Sequence, residues 1–383
     1  MRARHDGVPR YLVVHPGAEL YGSDRVMLES VIAFAAAGAD VTVSLPERGP
    51  LIEHLVAGGA TVRIDPALVL RKSLLRPRNW LASARTAIRA LRASSRILRE
   101  VRPDAVYVST MTLPLWTPIA RARRIPAVLH LHEGEQGASR LVKWVIYAPA
   151  LSARRIVVNS EFSRGVLAQA FPALARRAEI IYNGVAGPTT VTPPPTDLGA
   201  GVHLVYIGRL SPRKGPDLIV EALARLDDPR ITADLVGAVF RGYEWYEQEL
   251  RELIDERGLS GRVRLAGFHA DVWGAVDQAQ FVIVPSRLDE PFGNTAVEGT
   301  LAQRVVIVSD TSGLREATDG VATAIRFAPG DVDALVRAIR AAMDDWEQLA
   351  PRLADEATAA AARFSPENYR RTIASTMAQI TGR

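Results

Sequence analysis

The chain is 383 residues long, 48% apolar and 23% charged, with a formal net charge of +5. These are globular values, and the length is too great for one ordinary core, so two domains of ~150–200 residues are expected. The absence of cysteine excludes a disulfide framework and thiolate metal sites and suits a reducing cytoplasm, while the polar stretch 1–10 has no apolar signal core and no run approaches the ~18 apolar residues of a spanning helix.

Short apolar runs alternate with helical stretches from the start. Those at 11–14, 41–45, 61–64, 105–108, 127–131, 155–158 and 179–182 read as buried strands. The turn after the first, His15-Pro-Gly-Ala-Glu-Leu-Tyr-Gly22, lacks the G-x-G-x-x-G spacing, so dinucleotide-dependent redox chemistry is not indicated. Gly22 suits close backbone approach by a ligand, with Ser23 beside it in the same loop, and Ser23 or Asp24 would cap a helix over 25–37.

Residues 71–102 hold ten Arg or Lys and one acid, Glu100, a local net of +9 that leaves −4 for the rest of the chain. Arg85, Arg89, Arg92, Arg96 and Arg99 recur at four-three-four-three spacing, one stripe of a helix, with Ala84, Ile88, Leu91 and Leu98 as an adjacent apolar stripe. Two readings follow. Either the apolar stripe packs on a sheet and the arginines are solvated, or the cationic face meets anionic lipid or a phosphate-bearing, lipid-linked acceptor. Nucleic acid is not expected, because no aromatic platform interleaves the arginines and Trp80 stands alone.

The strand Ile125-Pro-Ala-Val-Leu-His-Leu-His-Glu133 ends in His130, His132 and Glu133, and alternation puts the two histidines on one face. His-x-His-Glu evokes a metal, but no further ligand cluster is visible and none is expected here. His130 reads as a core histidine and His132 as the site candidate. The proline-rich stretch 187–195 cannot continue a helix or a central strand. Strands resume at 202–207, 231–236, 262–266, 281–285 and 305–308. The class is α/β: two Rossmann-like domains with parallel sheets and a cleft between them. The expected partition is 1–187, a linker 188–201, a second domain 202–364, and a closing segment 365–383 after the Ser365-Pro366 break.

After the strand 202–207 comes Gly208-Arg209-Leu-Ser-Pro-Arg-Lys214-Gly215, in which Ser211 and Pro212 read as a helix start. Arg209 and Lys214 would sit at a strand's carboxyl end, where two cations can stabilise the charge of a leaving diphosphate. Lys214 is one of only three lysines, with Lys72 and Lys143, among 47 Lys and Arg, so a compact ammonium in place of the usual Arg singles the position out. Further on lies Glu290-Pro-Phe-Gly-Asn-Thr-Ala-Val-Glu298, two carboxylates flanking a strand-loop-helix junction whose helix start offers the N–H groups of Gly293, Asn294 and Thr295 to an anion.

Here the chain resembles the family 4 retaining glycosyltransferases, which carry an acid, seven residues and a second acid in an E-P-F-G context and a G-R-x-x-x-x-K-G run. The resemblance implies a GT-B fold in which Glu290 contacts donor-sugar hydroxyls, Glu298 the nucleotide ribose, and Arg209 and Lys214 the diphosphate. It adds Gly208, Phe292, Gly293, Asn294 and Thr295 to the donor site, puts the backbone of Gly267 and Phe268 at the base, and sets His132 beside donor sugar and acceptor. Gly22 matches, more loosely, a first-domain glycine loop. The family pattern N-G-V-D is Asn183-Gly184-Val185-Ala186 here, so its acid is missing. The expected activity is metal-independent, cofactor-free hexosyl transfer from a nucleoside-diphosphate sugar to a glycan or lipid-linked acceptor, in cell-envelope or polysaccharide synthesis. The site would be cytoplasmic, at the inner face of a membrane if the arginine stripe binds lipid. A nucleotide-sugar epimerase of the same architecture and a non-catalytic sugar-binding homologue are the alternatives.

Overall fold

The structure, a computed structural model, describes residues 7–70, 80–134, 137, 139–199, 201–240 and 242–382. It divides into two units, Met1–Gly184 with Pro366–Arg383, and Val185–Ser365.

In the first unit seven strands, β1 (Arg10–Val14), β2 (Asp40–Leu45), β3 (Ala60–Ile64), β4 (Ala105–Val108), β5 (Ala127–Leu131), β6 (Arg155–Val158) and β7 (Glu179–Ile180), form a parallel sheet ordered β3-β2-β1-β4-β5-β6-β7. Tyr11 of β1 pairs with Ala105 of β4 and Val41 of β2. β4 and β5 are buried along their whole length because helices cover both faces, which is why they read as unbroken apolar runs. One face carries α1 (Gly22–Ala36), α2 (Leu51–Ala57) and the C-terminal helix (Pro366–Thr381), with Val13, Phe34, Tyr107, Tyr369, Ile373 and Met377 in a common core. The other carries α3 (Trp80–Val101), α4 (Trp116–Ala122), α5 (Arg140–Tyr147), α6 (Glu161–Ala170) and the short α7 (Pro172–Ala175), over Leu12, Val14, Ile97, Leu98, Trp116 and Leu129.

The second unit is a parallel sheet ordered β10-β9-β8-β11-β12-β13, from β8 (Val202–Ile207), β9 (Ile231–Val236), β10 (Val263–Gly267), β11 (Phe281–Val284), β12 (Val305–Ser309) and β13 (Ile325–Phe327). Its helices are α8 (Asp217–Leu226), α9 (Glu244–Glu256), α10 (Trp273–Gln278), α11 (Asn294–Leu301), α12 (Ser312–Ala317), α13 (Val332–Asp344), α14 (Trp346–Leu349) and α15 (Leu353–Arg363). β13 escapes the sequence reading because it is three residues long with Arg326 at its centre. The proline-rich stretch is held within this unit: buried Arg304 donates to the Thr192 and Val276 carbonyls at 3.0 Å each, and Trp346 donates to Pro195 O at 3.2 Å. Both units are Rossmann-like, and in each the strand order reverses once, between β1 and β4 and between β8 and β11, the points at which such sheets bind ligands beyond their carboxyl ends.

Candidate active site

In the second unit the carboxyl ends of β8, β9 and β10 present three glycines in a row. Gly208 N–H donates to Val236 O at 3.0 Å and Gly237 N–H to Gly267 O at 2.8 Å. The backbones approach so closely that a Cβ on Gly237 would lie 1.8 Å from Gly208 O, so no other residue fits. Gly237 was missed in the sequence, where it is one glycine among 28. Phe268 follows Gly267 with a partly exposed ring.

Arg209 leaves β8 and lies over Phe240, its guanidinium carbon 3.2 Å from the ring centroid. Ser211 and Pro212 do not start a helix. Lys214 N–H and Gly215 N–H both bond to Ser211 O, Gly215 turns at φ +67, and α8 begins only at Asp217 behind Pro216. The left-handed glycine breaks the helical path that Ser-Pro would otherwise open, so Arg209 and Lys214 stand on a turn rather than at a helix start.

That turn brings Lys214 to Glu290. Its Nζ lies 2.8 Å from Glu290 Oε1, Ser286 Oγ donates to the same oxygen at 2.6 Å, and Arg213 stands 4.0 Å away. Burial alone would raise the Glu290 pKa, but Lys214 and then Arg213 hold it below the usual carboxylate range. Glu290 is 6% exposed and is therefore an ionised, nearly buried acid. Arg213, which also donates to Asp289 O, was not singled out in the sequence because adjacent Arg-Lys is common on surfaces.

Gly293 caps α11 at φ +136, and Thr295 Oγ1 donates to Ile207 O at 3.3 Å, tying the helix start with Asn294 to the end of β8. Glu298, one turn on, is 9% exposed. Phe292 points the other way, its buried ring edge-on to Phe364 at 5.4 Å. Gly313 in α12 closes the arrangement: a Cβ there would lie 2.0 Å from Glu290 O and 2.7 Å from Phe292 O, so that helix packs directly on the acid's backbone. Nothing local in the sequence marks Gly313.

In the first unit α1 begins at Gly22, three residues earlier than the sequence implied, with Tyr21 as its N-cap; Gly22 and Ser23 are exposed in the first turn. Asp24 reaches back to accept Tyr21 N–H at 2.9 Å and pairs with His15 Nε2 at 2.6 Å, while His15 Nδ1 lies 2.6 Å from Ser109 Oγ. This buried trio clamps the β1–α1 loop to the end of β4. His132 follows β5, its ring tilted 40° against that of His130 at a centroid distance of 3.9 Å. Burial, and next His15, push its pKa down to about 3, so the ring is neutral, and its Nε2 has no hydrogen-bond partner. Glu133 accepts from Thr110 Oγ1, from His132 N–H at 3.1 Å and from Met111 N–H at 3.4 Å, and burial raises its pKa to about 7. Among the described residues no three His, Asp or Glu side chains gather as a metal site.

Two family models match, "Glycosyltransferase Family 4" over residues 21–186 and "Glycosyl transferases group 1" over residues 201–360. The chain belongs to the family 4 glycosyltransferases. Its similarity to a GDP-mannose:cellobiosyl-diphosphopolyprenol alpha-mannosyltransferase of Xanthomonas oryzae is 33% identity over 173 residues, 42% of this chain and 41% of that protein. With a glycogen synthase of Mycobacterium tuberculosis it is 30% identical over 185 residues, 46% of this chain and 42% of that protein, so the match spans about two fifths of these relatives. The crystal structure of Anabaena Alr3699/HepE in complex with UDP and glucose superposes with a TM-score of 0.81 at 23% identity, over 96% of this chain and 99% of that one. The fold is that of GT-B glycosyltransferases.

The first unit of this family 4 chain also carries an unusual surface. Ala90, Ala93, Ser94, Ile97 and Leu98 face the core from α3, whereas Ile88 and Leu91 are about half exposed and Ala84 is exposed. The apolar stripe drawn from the sequence is therefore wrong except at Leu98. At ~100° per residue the buried stripe lies roughly 150° from the arginines, almost opposite them. Arg96 pairs with Asp65 and Glu100, and Arg99 bonds to Ser95 O. Arg85, Arg89 and Arg92 are exposed and make no ion pair among the described residues. Arg71, Lys72, Arg76, Arg78 and the Trp80 side chain lie outside what the structure describes. On α5, in the same helical layer, Leu141, Trp144 and Val145 are 75%, 57% and 68% exposed. No described helix is long and apolar enough to cross a membrane.

Proposed function

We propose that this chain is a retaining, metal-independent glycosyltransferase that moves a hexose from a nucleoside-diphosphate sugar to a glycan or lipid-linked acceptor, in cell-envelope or polysaccharide synthesis. The observation that carries the reading is the pair of cations Arg213 and Lys214 on one ionised acid, Glu290, at the β8/β11 reversal, with Arg209 just past the end of β8. Charge accumulates on the diphosphate as the sugar–phosphate bond breaks, and fixed cations with the N–H groups at the start of α11 stabilise it there. Lys214 is suited to this because its side chain keeps 28% exposure while Glu290 holds it in place. Glu290 accepts from donor-sugar hydroxyls, Glu298 from the ribose, and the glycine rim with Phe268 lies along the base. Neutral His132 hydrogen-bonds at the sugar without adding charge. The leaving phosphate takes the acceptor proton, so no dedicated base is required. The names of the relatives and the UDP and glucose of the structural neighbour support a nucleotide-sugar donor.

Arg85, Arg89 and Arg92, without ion pairs among the described residues, together with exposed Ile88, Leu91, Leu141, Trp144 and Val145, favour docking of the first unit on anionic lipid, which would bring it to a lipid-linked acceptor.

Thermal-shift screening against UDP, GDP, ADP and dTDP tests the donor side, since a ligand at 100 times its Kd stabilises by ~2.7 kcal/mol. One nucleotide should raise Tm, and Lys214→Ala should abolish both the shift and transfer. Transfer surviving in Lys214→Ala would refute the diphosphate assignment. Conversion of the sugar with no acceptor present would point to the epimerase instead.

A further inference from the structure

A chain of polar side chains runs through the apolar core of the first unit. The Tyr369 hydroxyl, on the C-terminal helix, lies 2.6 Å from Ser30 Oγ of α1; Ser30 Oγ lies 3.0 Å from the Tyr107 hydroxyl of β4; and that hydroxyl lies 2.5 Å from His130 Nδ1 of β5. All four residues are at most 2% exposed. Burying three hydroxyls and an imidazole is costly unless each is hydrogen-bonded, and apolar residues of the same size would pack without that demand. Some function of position is needed to explain the set.

The geometry identifies it. His130 Nδ1 is hydrogen-bonded to the Tyr107 hydroxyl, while His130 Nε2 is buried with no hydrogen-bond partner. The His130 ring is therefore oriented by the Tyr107 bond and by its flanking rings, Tyr107 edge-on at 5.9 Å and Tyr369 stacked at 6.4 Å. His132 in turn lies against His130, the two rings tilted by 40°, and has no partner at Nε2. Tyr369 itself is wedged at the point where the chain leaves and re-enters the unit: a Cβ on Gly184 would lie 2.8 Å from Pro366 Cα and 2.9 Å from Tyr369 Cβ.

We propose that Tyr369, Ser30, Tyr107 and His130 are positioning residues that set the His132 ring, so that the C-terminal helix bears directly on sugar transfer. This rests on the reading of His132 as a site residue. It makes the C-terminal helix more than a packing element: its Tyr369 hydroxyl is the far end of the device.

The test uses the full chain with ¹⁵N-histidine and three variants, Tyr107→Phe, Tyr369→Phe and His132→Asn. Both Phe variants keep ring and core volume, and thermal unfolding verifies that they fold. In the wild type the His130 signals should report a single tautomer, fixed by the Tyr107 bond at Nδ1. Tyr107→Phe should mix its tautomers and shift the His132 signals, and Tyr369→Phe should shift them in the same direction by less. With the nucleotide sugar chosen by the nucleotide screen, Tyr107→Phe should lower kcat about tenfold, the scale of one buried hydrogen bond, with KM for donor within about twofold. Folded Phe variants with unmoved His132 signals, or with unchanged kcat while His132→Asn abolishes transfer, would overturn the inference and leave the function standing. Full transfer in His132→Asn would overturn the role of His132 itself, and the ring signals would then show separately whether Tyr107 orients it.

Discussion

Replacing Lys214 by Met removes the counter-ion of a carboxylate that is 6% exposed and leaves Ser286 and Arg213 to hold it. Stranding a fully buried ion costs ~3–5 kcal/mol. The loss here is smaller, because Ser286 still donates at 2.6 Å, Arg213 stays 4.0 Å away and the Lys214 side chain is 28% exposed. About 2 kcal/mol is expected. In the unit Val185–Ser365, 181 residues by subtraction, that lowers Tm by roughly 4–8 °C. Glu290→Gln leaves an ammonium that can turn to water and should cost about 1 kcal/mol. The double variant should cost about 1.5 kcal/mol, a coupling of about 1.5 kcal/mol between the two sites. The sign with pH follows from the lowered pKa of Glu290. The pair's contribution is present above the ordinary carboxylate value and is lost as pH falls through the lowered one. Differential scanning calorimetry of the four proteins between pH 3 and pH 7 measures both effects. Single effects that simply add, or a wild-type advantage over Lys214→Met that is unchanged at the acid end, would refute a structural pairing of these residues.

Glu133, whose pKa is raised to about 7, stabilises the first unit fully below the unfolded carboxylate range and loses that contribution as pH rises through 7, by at most ~3 kcal/mol; Glu133→Gln should flatten the Tm–pH curve there. Gly313→Ala forces a Cβ to within 2.0 Å of Glu290 O, so it should cost about 2–3 kcal/mol and weaken nucleotide binding, read by thermal shift with and without the preferred nucleotide. Phe240→Ala removes the ring under Arg209 and should reduce kcat/KM about fivefold, the worth of a ~1 kcal/mol cation–π contact, with Phe240→Tyr restoring it. Neutralising Arg85, Arg89 and Arg92 to Gln should weaken sedimentation with anionic liposomes by ~1 kcal/mol per arginine, and equal binding of wild type to neutral vesicles would exclude the lipid reading.

Much of the architecture was legible because buried parallel strands are continuous apolar runs, and β4, β5, β11 and β12 carry little else. The charged residues proposed for the donor side stood out for a different reason. Arg209, Lys214 and Glu290 sit on loops beyond strand ends and Glu298 one turn into α11, so residue type and spacing together single them out. His130 looked like a core histidine from its place in an apolar strand, and its burial agrees. Its bond to Tyr107, and the route onward to Tyr369, could not be read, since Ser30 and Tyr369 are 339 residues apart.

By itself the sequence determined the class of fold, the alternation of strands and helices, and the chemical identity of the charged groups available to a donor. Periodicity marked α3 as amphipathic but put its apolar stripe at Ala84, Ile88, Leu91 and Leu98, because a helix offers every face until something packs on it. Packing chose Ala90, Ala93, Ile97 and Leu98, and left the arginines with Ile88 and Leu91 in solvent. The tertiary structure likewise decided that Lys214 answers Glu290, that Gly237 and Gly313 admit no side chain, and that His132 rests on His130. Each of these depends on distances between segments far apart in the chain, which local propensity does not encode and only close packing sets.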